Sequence, residues 1–107
     1  MTDYSQATNL SDLIGYQGGA VVSRTLINKK TGTVTLFSFD AGQGLSEHTA
    51  PYAALVYIVE GVTDVTISGN TQRLSAGDVV IMPANEPHAL HGVQAFKMLL
   101  VMIKSGE

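Results

Sequence analysis

Short apolar runs, broken every few residues by Gly, Asn, Asp or Pro, dominate this sequence. The runs are rich in β-branched residues and most are too short for helices, which favours strands. The clearest are GAVVSRTLIN, TVTLFSFD, ALVYIVE, VTDVTIS, TQRLS, VVIMP, HALHG and AFKMLLVMIK. About nine strands are expected, and such a series is typical of an all-β sandwich or barrel.

Turn and capping signals separate these runs. The stretch LSDLI follows Asn9 and includes Ser11, and either residue can cap a short helical turn that Gly15 would end. KKTG predicts the turn of a first hairpin, and Gly69–Asn70 can adopt the positive φ angles of a two-residue turn in a second one. Because no linker, repeat or low-complexity tract is visible, residues 1–107 are expected to form one domain.

Composition narrows the classes of partner. With 45% hydrophobic and only 14% charged residues, the chain is expected to fold and to bury part of its surface against a second copy, as a homodimer. A net charge of −3, with Lys29–Lys30 as a short basic pair, argues against nucleic acid and acidic membranes as partners. No run approaches the ~20 apolar residues of a membrane span, and the first residues do not resemble a secretory signal, so a cytoplasmic location is expected.

Histidine and carboxylate carry the candidate chemistry, because the chain has no cysteine. His48 and His88 lie forty positions apart and converge only if the fold brings their strands together. His91 lies three residues after His88, which in a strand places it on the opposite face, so it is expected at the surface. In an extended chain His48 shares one face with Tyr52, although Pro51 interrupts the pattern.

Two further groups of side chains are candidates for a ligand pocket. Tyr52 can supply a hydroxyl, and Met82, in the run VVIMP, can supply an adaptable apolar surface. Met98, Leu100 and Met102 share one face of the last predicted strand and are expected in the core.

One segment resembles the first motif of the cupin family, G-x5-H-x-H-x3-E-x6-G. In GQGLSEHTAPYAALVYIVEG, the residues Gly42, His48 and Gly61 fall on the first glycine, the first histidine and the last glycine. The second histidine position is Ala50 and the glutamate position is Ala54.

A later segment is similar to the second cupin motif, G-x5-P-x-G-x2-H-x3-N. In GDVVIMPANEPHALHG, the residues Gly77, Pro83 and His88 match in register. The second glycine position is Asn85 and the final asparagine position is Gly92.

The resemblance covers roughly residues 33 to 103 and implies a double-stranded β-helix barrel, the cupin or jelly-roll fold, with the site inside. Cupin metal sites commonly use two histidines and a glutamate from the first motif and one histidine from the second. Only His48 and His88 keep a ligand residue type. The resemblance thus implies either a divalent transition metal held weakly by these two side chains and water, or a barrel that has lost its metal.

Three functions remain open at this point. The leading hypothesis is a barrel that binds a small organic molecule in a largely apolar pocket polarised by His48 and His88, with Tyr52 and Met82 as further contacts. Imidazoles suit a carboxylate, enolate or phenolate ligand. One alternative is a metal-dependent dioxygenase or isomerase acting on a small carbonyl compound or aromatic acid. The other is a ligand-sensing accessory module.

Overall fold

The computed structural model describes residues 5–104, which form nine β-strands and one 3₁₀ turn, Leu10–Leu13. The all-β prediction is confirmed. The strands are β1 (Val21–Lys29), β2 (Gly32–Phe39), β3 (Gly44–His48), β4 (Ala53–Glu60), β5 (Val62–Ile67), β6 (Asn70–Ser75), β7 (Val79–Met82), β8 (His88–Gly92) and β9 (Phe96–Ile103).

Two antiparallel sheets enclose the core in a jelly-roll arrangement. One sheet has the order β1-β2-β9-β4-β7 and the other has the order β3-β8-β5-β6. Alternate residues of each strand point inward, as the period of an extended chain requires. The deepest part of the core contains Phe39 and Phe96, whose rings stack 4.4 Å apart, together with Ile58 and Met98.

The N-terminal segment lies across the outer surface of the five-stranded sheet. Asn9 caps the 3₁₀ turn, since its side chain accepts a hydrogen bond from the Ser11 amide at 3.0 Å. The Lys97 ammonium donates to the Ser11 carbonyl at 2.7 Å, and the Ser38 hydroxyl donates to the Gly15 carbonyl at 2.7 Å. These bonds satisfy polar groups that would otherwise be buried without partners.

The hairpin turn between β5 and β6 differs from the prediction. Ile67 pairs with Asn70, so the two turn residues are Ser68 and Gly69, one position earlier than the predicted Gly69–Asn70. Both have positive φ, at 49° and 83°. The Ser68 amide donates to the Pro87 carbonyl at 2.8 Å, and this tertiary contact supports a conformation that serine alone seldom adopts.

The other half of the outer surface of the five-stranded sheet is apolar. A row of cross-strand partners passes through all five strands, in the order Ile27, Val34, Val101, Leu55 and Ile81. Flanking positions add Ala53, Tyr57, Val79, Leu99 and Ile103. These ten residues are called the apolar face below, and none of them is charged. In the described part of the chain, no helix is long and apolar enough to cross a membrane.

Candidate ligand and metal site

His48 and His88 meet because β3 pairs with β8. The two residues are direct cross-strand partners, and a register shift lies between Leu45 and His48. The shift turns residues three apart toward the same side, so that Leu45 and His48 both face the interior. The two imidazole rings meet edge to face, with their Nε2 atoms 3.1 Å apart.

Backbone carbonyls fix the orientation of both rings. The Nδ1 atom of His48 lies 2.8 Å from the Ser46 carbonyl oxygen, and that of His88 lies 3.2 Å from the Glu86 carbonyl oxygen. When each Nδ1 donates to its carbonyl, each Nε2 carries a lone pair. Two lone pairs at this separation repel each other unless a proton or a metal ion lies between them. A cation bound between the two Nε2 atoms would remove this repulsion.

The two histidines differ in their exposure. His88 is 4% exposed, whereas His48 lies at the exposed end of its strand. Burial lowers the pKa of His88 below its ordinary value, and the nearby charge of His48 lowers it further.

A cavity of about 50 Å³ opens beside this pair. Its wall is almost entirely apolar and includes Leu45, Ala50, Ala54, Leu90 and Leu100. One water needs roughly 10–15 Å³ of such space, so the enclosed part holds a group of only a few atoms. A longer molecule would have to extend through the opening.

Three methionines complete the wall. Met82, Met98 and Met102 all line the cavity, and Met98 is fully buried. Met82 and Met102 are the cross-strand partners of Ala54 on its two sides. The predicted common face of Met98, Leu100 and Met102 is present, and it is the cavity side of β9.

Three of the four predicted ligand contacts, His48, Met82 and His88, line the cavity, but Tyr52 does not. Because β3 ends at His48 and β4 begins at Ala53, Tyr52 lies in the intervening loop, where the alternation of a strand does not apply. Leu45 and Leu90 also line the cavity, and the sequence analysis did not single them out. Leu90 shares the parity of His88 and could have been found from it.

The loops at this end of the barrel are held by special backbone conformations. Asn85, at a motif position that is usually glycine, has φ of 66°, which asparagine tolerates better than most residues. Its amide donates to the Ala50 carbonyl at 2.8 Å and ties the loop after β7 to the loop before β4. This bond helps to set the opening of the cavity.

Two imidazole nitrogens converge here as possible metal ligands. Among residues 5–104, no group of three His, Cys, Asp or Glu side chains is placed to hold an ion. Glu60 is occupied elsewhere, since its carboxylate accepts hydrogen bonds from the hydroxyls of Ser11 and Tyr16. The 3.1 Å between the Nε2 atoms fits two ligands of one metal, since metal–nitrogen bonds of about 2.0–2.1 Å would then subtend roughly 95–100°.

The comparisons with known proteins agree on one family. The cupin domain family matches residues 35–103. A conserved protein of unknown function from Streptococcus pyogenes shares 35% identity over 99% of this chain and 93% of its own, with a TM-score of 0.93. A cupin superfamily protein from Desulfitobacterium hafniense shares 28% identity over 96% of this chain and 94% of its own, with a TM-score of 0.91.

A third similar structure belongs to a longer chain. A cupin 2 conserved barrel domain protein from Leptotrichia buccalis shares 36% identity, with a TM-score of 0.87. The match covers 91% of this chain and 47% of the other. No match was found among curated proteins.

Proposed function

This chain belongs to the cupin domain family, and on that premise we propose that its barrel binds a small organic anion between the two sheets. The ligand class is a carboxylate, enolate or phenolate. His48 and His88 supply the polar contacts, and the apolar wall packs against the rest of the bound group.

The convergence of the two Nε2 atoms carries this proposal. When a proton is bound at one Nε2, that atom can donate to an anionic oxygen beside the apolar wall, because both Nδ1 atoms are already bonded to backbone carbonyls. In such a place water competes poorly, and a hydrogen bond from an imidazolium to an anionic oxygen contributes more than a neutral one. The fixed rings also lose little conformational entropy when the ligand binds.

The size of the cavity limits the ligand. About 50 Å³ accepts a carboxylate and the carbon that bears it, but a bulky ring fits only if it lies at the opening. Acetate and pyruvate are therefore the first molecules to test, followed by benzoate as a ligand whose ring must extend outward.

Ligand binding is best followed by NMR, with chemical shifts of the imidazoles recorded while acetate, pyruvate or benzoate is added. His48→Ala should weaken binding by roughly 10- to 100-fold, as expected for the loss of a hydrogen bond to a charged group. His88→Gln tests the buried partner while retaining a polar side chain. His91→Ala is the matched control, since His91 is exposed and lies on β8, the strand of His88. Equal affinity in all four proteins would refute the proposal.

The same 3.1 Å separation favours a metal-dependent enzyme as the second candidate. His48 and His88 would hold the metal, which would supply Lewis-acid polarisation of a ligand oxygen. Elemental analysis of untagged protein purified without chelators tests this directly. Near-stoichiometric metal that is lost in both His48→Ala and His88→Ala would support it, whereas folded protein without metal would favour anion binding alone.

We further propose that a second copy of this chain covers the apolar face. The row from Ile27 to Ile81 crosses five strands, or about 19 Å at the usual strand spacing, and exceeds the scattered apolar residues normal for a monomer. A twofold axis sets a surface against itself, so any charge on it would oppose a like charge nearby. The apolar face has no charge and is self-complementary in this respect.

A further inference from the structure

In the described part of the chain, the side-chain heteroatoms of the cavity wall are nitrogen and sulfur. Of the described residues that line it, those with side-chain nitrogen or sulfur are His48, His88 and the three methionines, and none has a carboxylate. These donors are all neutral when the imidazoles are unprotonated. Thioether sulfur is a soft ligand, and soft ligands favour copper(I) over the hard divalent cations, which prefer oxygen.

The register of β4, β7 and β9 places two of these sulfurs in one row. Ala54 on β4 has Met82 of β7 as its partner on one side and Met102 of β9 on the other. The Ala54 side chain is a single methyl group, so it leaves the space between its neighbours open. Met82 and Met102 lie two strands apart, so their Cβ atoms are roughly 9–11 Å apart, and each flexible side chain has to extend over Ala54 to reach a common point.

We propose that this cavity is a copper(I) site formed by Nε2 of His48, Nε2 of His88 and the thioethers of Met82 and Met102. The inference uses the same cavity as the anion site but does not depend on anion binding. Backbone hydrogen bonds hold the two imidazole rings in place, whereas the two methionine side chains can change their rotamers to reach the ion.

The charge of the ion supports copper(I) over a divalent metal. Four neutral ligands leave the full charge of the ion inside an apolar wall. The cost of transferring an ion from water rises with the square of its charge, so a divalent ion pays about four times as much as a monovalent one. Many zinc sites offset this cost with thiolates or carboxylates, and the described residues of this wall include neither.

Met98 also lines the cavity but is not a ligand in this proposal, so Met98→Leu tests which methionines bind the ion. Met98 pairs with Ile58 in the deepest part of the core, four residues from Met102 and thus ~13 Å further along β9. Leucine is close to methionine in volume, so replacement of any of these methionines by leucine should leave the protein folded.

The experiment is an anaerobic competition titration of the whole protein with copper(I) against bicinchoninate, with zinc(II) measured separately. We expect one copper(I) per chain and tighter binding than for zinc(II). Met82→Leu combined with Met102→Leu should weaken copper(I) binding by at least ~10-fold, the effect that even indirect partners of metal ligands produce. His48→Ala should also weaken it, and Met98→Leu should weaken it less than the double variant. His91→Ala, at an exposed histidine of β8 outside the cavity, is the control that should leave it unchanged.

X-ray absorption supplies a readout that a structural role would not change. The parent protein loaded with copper(I) should show a copper–sulfur distance that disappears in the double methionine variant. If the double variant does not fold, the two single variants decide. A spectrum with only nitrogen and oxygen scatterers, or equal affinity in the parent and the methionine variants, would overturn the proposal. Neither result would bear on the binding of acetate or pyruvate, which the NMR titration measures.

Discussion

The substitution Ile81→Lys tests the proposed dimer at its most exposed apolar position. Ile81 is 60% exposed, and its partner across the strand pair is Leu55, also on the apolar face. Complete burial of an isoleucine side chain contributes about 1.5–3 kcal/mol, so burial of the exposed part contributes about 1–2 kcal/mol per copy. A symmetric dimer contains the residue twice, so the loss is about 2–4 kcal/mol, or roughly 30- to 1,000-fold in the dissociation constant.

Sedimentation velocity over a range of protein concentrations measures this change. The parent protein should be a dimer at concentrations where Ile81→Lys is a monomer. Gln72→Lys is the control, because it adds the same charge on the exposed edge strand β6 of the other sheet. A parent protein that stays monomeric at high concentration, or an Ile81→Lys variant that dimerises like the parent, would show that this reasoning about the apolar face is wrong.

Three further changes test the hydrogen bonds of Glu60, the backbone conformation of Gly61 and the cavity. Hydrogen bonds from Ser11 and Tyr16 lower the pKa of Glu60 below its ordinary 4.5. Ionised Glu60 therefore stabilises the fold above that pH, and this effect is lost as the pH falls through the lowered value. In urea unfolding, the free energy of unfolding of Glu60→Gln should lie below that of the parent at neutral pH and converge with it in acid. Gly61→Ala should destabilise the fold by at least ~2 kcal/mol in the same assay, since Gly61 has φ of 85° and an added Cβ would lie 2.1 Å from the carbonyl oxygen of Ala95. Ala54→Leu should fold with a loss of ~1–3 kcal/mol but abolish the pyruvate response in NMR, and an unchanged response would contradict the assignment of the cavity as the site.

The strands and the convergence of His48 with His88 could be predicted because both depend on local patterns. Alternation identified the common face of Met98, Leu100 and Met102, which was expected in the core and also lines a cavity, and the family motifs identified His48 and His88 as a pair. The position of Tyr52 and the turn between β5 and β6 depend on more than the local sequence. The position of Tyr52 follows from where β3 ends, and the turn at Ser68 follows from a bond to the Pro87 carbonyl on a distant segment.

The register shift in β3 was also not readable from the sequence. Leu45 and His48 differ in parity, so alternation alone would place them on opposite faces. The pairing of Leu45 with Leu90 and of His48 with His88 places both inside. A bulge of this kind is selected by the partner strand, and its position is visible only when both strands are in place.

The two alanines of the first motif change what the site can hold without removing it. Ala50 and Ala54 both line the cavity, while the carbonyls of Ser46 and Glu86 orient the rings of His48 and His88. Loss of a carboxylate removes a negative charge that would have balanced a divalent cation. What remains is a pair of imidazoles with converging Nε2 atoms and a wall of methyl groups and thioethers. Such a site suits a proton with an organic anion beside it, or a monovalent soft metal, better than it suits a hard divalent ion.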